Sequence, residues 1–222
     1  MKRYFQLKAS WDPKVIGRSE TCHTVGITSK DYLEYTDQID QDLDKFFYGK
    51  QKSVYDNMPG NLTGVLHNKR KFTDFMSIVP YFKGLEAIVS ERIKEVFECL
   101  CIPENEYILK PISLRGTDMP YYLLFIPIIE DTEFIYPETI FRRGSDQYKT
   151  FNTREEYFNF NEVGYYIQTV GLPQKYLSYE ILNPDWSGAF YSERIIDAFE
   201  EAGIVGYQVI RGGYFFRKIV FV

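Results

Sequence analysis

Three cysteines and two histidines are all the thiols and imidazoles that 222 residues contain. An odd set of thiols, Cys22, Cys99 and Cys101, cannot close a fully paired disulfide framework and suits a reducing compartment, so a cytoplasmic location is expected. A zinc site would have to draw on these three with His23 and His67. The adjacent pair Cys22-His23 and the Cys99-Leu100-Cys101 triplet lack the paired ligand spacing of structural zinc sites. Cys99 and Cys101 are expected instead to fill core positions at a helix end, and neither metal nor cofactor is expected. Long apolar runs are missing too. The longest, Tyr121 to Ile129, is interrupted by Pro127 and falls short of the roughly 18 to 20 residues a membrane helix needs, so no membrane partner is expected. Nor is there a basic excess: 26 Lys and Arg stand against 31 Asp and Glu, a net charge of −5, which argues against a protein that wraps nucleic acid. The start, Met1 to Lys8, has the basic residues of a secretion signal, but Lys8 and Asp12 interrupt any apolar stretch, and it reads as a first strand.

The signatures of common chemistries are equally scarce. No G-x-G-x-x-G, phosphate-binding loop or G-x-S-x-G occurs. A thiol hydrolase could use only Cys22 with His67 or His23, and Ser19-Glu20-Thr21-Cys22-His23-Thr24 lacks the small residues of a nucleophile elbow. The acids Asp40, Asp42 and Asp44 suggest a calcium loop, yet its sixth position is Lys45 rather than Gly and its twelfth is Gln51 rather than Glu. Glu130, Asp131 and Glu133 follow an apolar strand and are expected in a solvated turn rather than as paired catalytic acids. The chain is therefore not expected to be an enzyme. A hydrolase using dispersed carboxylates or Cys22/His67, or a small-ligand module with an aromatic pocket, stands as the alternative.

Aromatic residues are abundant. With 18 Phe, 19 Tyr, 2 Trp and 45% hydrophobic residues the chain cannot be disordered, and its length suffices to bury about 70 to 75% of the unfolded surface in one domain. From Ser90, Ile93, Val96, Phe97 and Leu100 recur at i, i+3, i+4, i+7, which predicts an amphipathic helix capped by Ser90 and stopped before Pro103. The same pattern returns at Ser192-Glu193-Arg194-Ile195, with Ala198, Phe199 and Ala202 continuing the stripe and Gly203 ending it. Strand candidates follow each helix, so 90–114 and 192–210 read as a duplicated helix-strand unit. Ile39, Leu43, Phe46 and Phe47 predict a short helix, and 50–71 a mobile loop or internal boundary. Tyr121 to Ile129 and Gly164 to Val170 read as strands, and Tyr207 to Ile210 with Tyr214 to Val222 as a hairpin turning at Arg211-Gly212-Gly213. Strands outnumber helices without alternating with them. The expectation is α+β, a mostly antiparallel or mixed sheet with a few short amphipathic helices.

Asn183-Pro184-Asp185-Trp186-Ser187-Gly188 is turn chemistry carrying one of two tryptophans. Asp185 and Trp186 are the candidate partner contacts, because a large ring on a turn can anchor an interface, although it can equally fold back onto the core.

The order of features is also familiar. Tyr4-Phe5, Ile88-Val89-Ser90-Glu91-Arg92-Ile93, Tyr121 to Pro127, and Ser192 to Tyr207 resemble a bacterial family of immunity proteins of polymorphic toxin systems, over roughly residues 85–210. The resemblance implies a protein that binds and neutralises a cognate toxin stoichiometrically in the producing cell. It carries over no functional residues.

Overall fold

The computed structural model describes residues 2–18, 23–41, 51–213 and 216–222. The fold is α+β with antiparallel and mixed sheets, as the pattern of elements predicts. The chain divides into two compact units. The first comprises residues up to Leu7, Ile128–Glu193 and Val209–Val222; the second comprises Lys8–Pro127 and Arg194–Gln208. Among the described residues no helix is long and apolar enough to cross a membrane.

The strands, in chain order, are β1 (Tyr4–Ala9), β2 (Val25–Ile27), β3 (Leu62–Leu66), β4 (Phe75–Met76), β5 (Ile78–Val79), β6 (Leu85–Ser90), β7 (Ile108–Arg115), β8 (Tyr121–Phe125), β9 (Ile128–Ile129), β10 (Ile140–Arg143), β11 (Gln147–Lys149), β12 (Tyr166–Leu172), β13 (Ile181–Pro184), β14 (Phe190–Ser192), β15 (Tyr207–Ile210) and β16 (Lys218–Phe221). In the second unit seven of them form a mixed sheet, β4-β6-β8-β7-β3-β2-β5. Strands β6 and β8 are almost wholly buried, with Ile88, Leu123, Leu124 and Phe125 at 0% exposure, which is why Tyr121 to Phe125 reads as a continuous apolar run rather than an alternating one. Tyr55 and Phe82 pack on Phe125, with ring centroids at 4.8 and 5.6 Å.

Helices Glu91–Cys99 and Glu193–Glu201 begin directly after Ser90 and Ser192, as expected. Ser90 does not cap through its side chain. Its buried hydroxyl donates instead to Asp74 Oδ1 at 2.7 Å, because that buried carboxylate needs donors; Arg92 Nη1 and the Val205 N–H supply two more at 2.9 Å each. The stripes are also narrower or shifted. Ile93 and Phe97 are buried while Val96 is only half-buried, and Ile195, Ile196 and Phe199 are buried while Ala198 is half-buried. Both helices end alike. Cys101 (φ +53°) and Gly203 (φ +62°) are left-handed, Ile102 N–H reaches Phe97 O at 3.0 Å, and Ile204 N–H reaches Phe199 O at 2.9 Å. These are Schellman caps, each closed by a buried isoleucine. The expectation that Cys99 and Cys101 fill the core is wrong: both are exposed, Cys99 because it lies across the helix from Phe97 and Cys101 because it occupies the outward-facing cap position.

Other expectations change in instructive ways. Helix Lys30–Gln41 starts nine residues before Ile39 and buries Tyr32, Thr36 and Ile39; Leu43, Phe46 and Phe47 lie outside the described residues. The stretch 50–71 is no loop, since it supplies helix Gln51–Asp56 and strand β3. The run Tyr121 to Ile129 breaks at Pro127 into β8 and β9, which join different sheets. The C-terminal hairpin does not form: β15 flanks β1, whereas β16 pairs in parallel with β12. Paired glycines allow the chain to bend but do not choose the sheet edge that receives the next strand.

In the first unit, β15-β1-β14-β13-β9 and β11-β10-β12-β16 are the two sheets to which its strands belong. Its core gathers Phe134, Tyr136, Phe141, Phe151, Leu172 and Phe190. Gly171 is required there, since a side chain at that position would meet the Ile135 carbonyl oxygen at 2.7 Å.

Candidate partner-binding surface

The loop carrying the candidate contacts lies in the first unit. Strand β13 pairs in parallel with β9, and the ladder continues one residue further through Asp185 N–H to Ile129 O at 2.9 Å. The chain then turns, with Ser187 N–H on Pro184 O at 3.0 Å. Asp185 Oδ1 accepts the Trp186 N–H at 2.8 Å. Trp186 has φ +60°, a conformation that a bulky residue adopts at a cost of about 1 to 2 kcal/mol and keeps only when its surroundings enforce it. Arg217 supplies part of that enforcement: its Nη1 donates to Trp186 O at 2.8 Å and Ser187 O at 2.5 Å. Gln6 Nε2 donates to the same Ser187 carbonyl at 2.5 Å.

Thus held, the indole is 39% exposed and leans on helix Arg154–Phe158, with ring centroids at 5.8 Å from Tyr157 and 5.9 Å from Phe158. That helix is short, and a capping arrangement holds its start: Thr153 Oγ1 accepts the Glu156 N–H at 3.1 Å while the Glu156 carboxylate accepts the Asn152 N–H at 2.7 Å. Tyr157 turns inward and stacks on Phe141 at 4.4 Å, whereas Phe158 remains 52% exposed with the Arg154 guanidinium 4.5 Å above its ring. Arg154 is fixed in turn by Asp131, through Nε to Oδ2 at 2.7 Å and Nη2 to Oδ1 at 3.3 Å, and this bond holds its own pKa up. Tyr136 donates to Asp131 Oδ2 at 3.3 Å, and burial, then the Asp131 charge, pushes its phenol pKa up. The result is a surface of two aromatic rings and one guanidinium, each seated on buried structure.

Of the two candidate contacts, only Trp186 presents its side chain. Asp185 is 1% exposed. The expected solvated turn at Glu130, Asp131 and Glu133 is also corrected: Asp131 is 1% exposed and paired with Arg154, and Glu133 pairs with Lys175. Apolar strand β9 carries these acids straight to the core edge, where cations meet them. Cys22 lies outside the described residues, and His67 is half-buried with no hydrogen bond at Nε2. Among the described residues no three His, Cys, Asp or Glu side chains group as metal ligands would. Phe158 and Arg154 are the surface residues that sequence reasoning missed. The Thr153-x-x-Glu156 box was the available signal for their helix.

The second unit has its own concavity, about 570 Å³, lined among others by Asn61, Thr63, Ser113, Asp118, Met119 and Tyr122. No lysine or arginine lines it. Compared with known proteins, the chain matches no family model and no curated protein.

Proposed function

We propose that this protein acts by stoichiometric binding of a protein partner, a bacterial toxin that it neutralises, through the surface formed by Trp186, Phe158 and Arg154. The observation that carries this reading is the left-handed Trp186, held by three side-chain hydrogen bonds to its loop so that a large ring stays 39% exposed against a second exposed ring. Strained conformations that the surroundings maintain concentrate at functional positions, and exposed Trp beside Arg is the composition of interface hot spots. The toxin as partner follows from the resemblance to immunity proteins. The test is co-purification with the product of the neighbouring reading frame, followed by Trp186→Gly. Glycine accepts φ +60° without strain, so this variant should keep its thermal midpoint within a few degrees and weaken the complex about thirtyfold or more. Unchanged affinity would place the interface elsewhere.

A second reading is favoured by the cleft of about 570 Å³, a volume suited to a small ligand. Because hydroxyl, amide and carboxylate groups line it without a cation, that ligand would be a neutral polyol rather than an anion. Thermal-shift screening with simple sugars tests it.

A further inference from the structure

Arg217 carries a charge that the described structure does not compensate. Its described hydrogen-bond partners are the two carbonyls of Trp186 and Ser187, no carboxylate contacts it among the described residues, and its Nε is buried without a partner. Beside it, the hydroxyl of Ser187, a residue at 0% exposure, is also unpartnered, as is Gln6 Oε1. Arg154, the other guanidinium of this surface, is treated differently, being paired with Asp131. Lys218, the next residue, is exposed at the start of edge strand β16, with the Phe216 ring 5.8 Å from its Nζ and no ion pair among the described residues. A half-buried guanidinium without an anion is costly, and removal of water already pushes the Arg217 pKa down from its usual value. An arginine does not escape that cost by losing its proton. The stable solution is an anion brought from outside.

We propose that Arg217 is a receptor for a carboxylate on an acidic segment of the protein partner, seated beside the Trp186 loop. The proposal rests on the reading above for the partner's being a protein. It adds the partner's chemistry: a negatively charged strand or loop, with one Asp or Glu reaching Nη2 of Arg217 while apolar atoms cover Trp186. Arg217 thereby acts twice, holding the loop through Nη1 and reading the partner through Nη2.

Hexaglutamate is the probe, with inorganic phosphate and hexalysine as comparators, in full-length protein carrying Trp11→Phe so that Trp186 is the sole fluorescent tryptophan. Hexaglutamate should shift Trp186 emission saturably and move the Arg217 side-chain Nε resonance in the wild-type protein. Its affinity should fall about tenfold or more in Arg217→Gln, and less in Arg217→Lys, which keeps the charge but not the fork. No saturable response, a response that Arg217→Gln leaves unchanged in a folded variant, or binding of phosphate at least as tight with the same Arg217 dependence would overturn the proposal, the last indicating a nucleic-acid phosphate instead. The wild-type Nε measurement decides the matter even if Arg217→Gln fails to fold. A toxin that needs Trp186 but not Arg217 would refute this inference alone; hexaglutamate binding at Arg217 with a toxin docked elsewhere would refute only the proposed interface.

Discussion

Phe97 and Phe199, 102 positions apart in the chain, stack with ring centroids 6.0 Å apart and planes inclined by 22°. They occupy the same position in two helices of the same pattern, and their surroundings correspond. Arg92 Nη2 donates to the carbonyl of Ala202 at the end of the second helix, and Arg194 Nη2 donates to the carbonyl of Leu100 at the end of the first, at 2.9 Å. Each helix thus lends the arginine of its first turn to the unsatisfied carbonyls of the other's last turn, where a cation also opposes the helix dipole.

Because both rings are fully buried, Phe97→Ala and Phe199→Ala should each lower unfolding free energy by about 3 to 5 kcal/mol. The double variant should lose less than the two combined, since either truncation already removes the stacked contact. Denaturant titration of the four proteins measures this, and strict additivity would show that the rings do not interact.

The two caps carry different residues at the left-handed position, Cys101 and Gly203. Glycine suits the left-handed position and cysteine does not, so Cys101→Gly is expected to stabilise the protein by about 1 kcal/mol and Gly203→Ala to destabilise it by a similar amount. Thermal midpoints moving in opposite directions are the expected outcome; a drop in both would mean that the Cys101 side chain makes contacts worth more than the strain.

Glu86 sits where β6 changes register against β8, a bulge between Leu85 and Ala87, and no described residue pairs with it. Burial pushes its carboxyl from the usual 4.5 up to about 7. With the folded value above the unfolded one, the folded state retains the extra proton, so stability falls as pH rises from about 4.5 to about 7 and then levels off. The full loss is about 3 kcal/mol. Glu86→Gln should remove that slope and leave the protein more stable than wild type at pH 8 but not at pH 4; parallel pH profiles for the two proteins would contradict it.

Some of the candidate surface was legible without coordinates. Asn183 to Gly188 reads as a turn because its residues favour turns locally; the chain does turn from Pro184 to Ser187, while Asn183 and Pro184 end strand β13. That Asp185 points inward and Trp186 outward depends on β9 pairing and on Arg217, neither of which neighbours the loop in sequence. Arg154 and Phe158 join the surface only because Asp131 and Tyr157 anchor their helix to the core.

What the sequence determined by itself is what neighbouring residues decide among themselves. Apolar spacing of i, i+4 with a stop at Pro103 or Gly203 defines helices Glu91–Cys99 and Glu193–Glu201, and dense β-branched and aromatic runs define strands. What only the tertiary structure decided is pairing: that β8 and β9 part company at Pro127, that β15 and β16 enter different sheets, that Ser90 serves Asp74 rather than its own helix, and that Arg217 lies beneath Trp186. Those outcomes turn on which buried donor meets which acceptor across long stretches of chain. Local composition is blind to them because a hydrogen bond or ion pair gains its strength from the desolvated surroundings that folding itself creates.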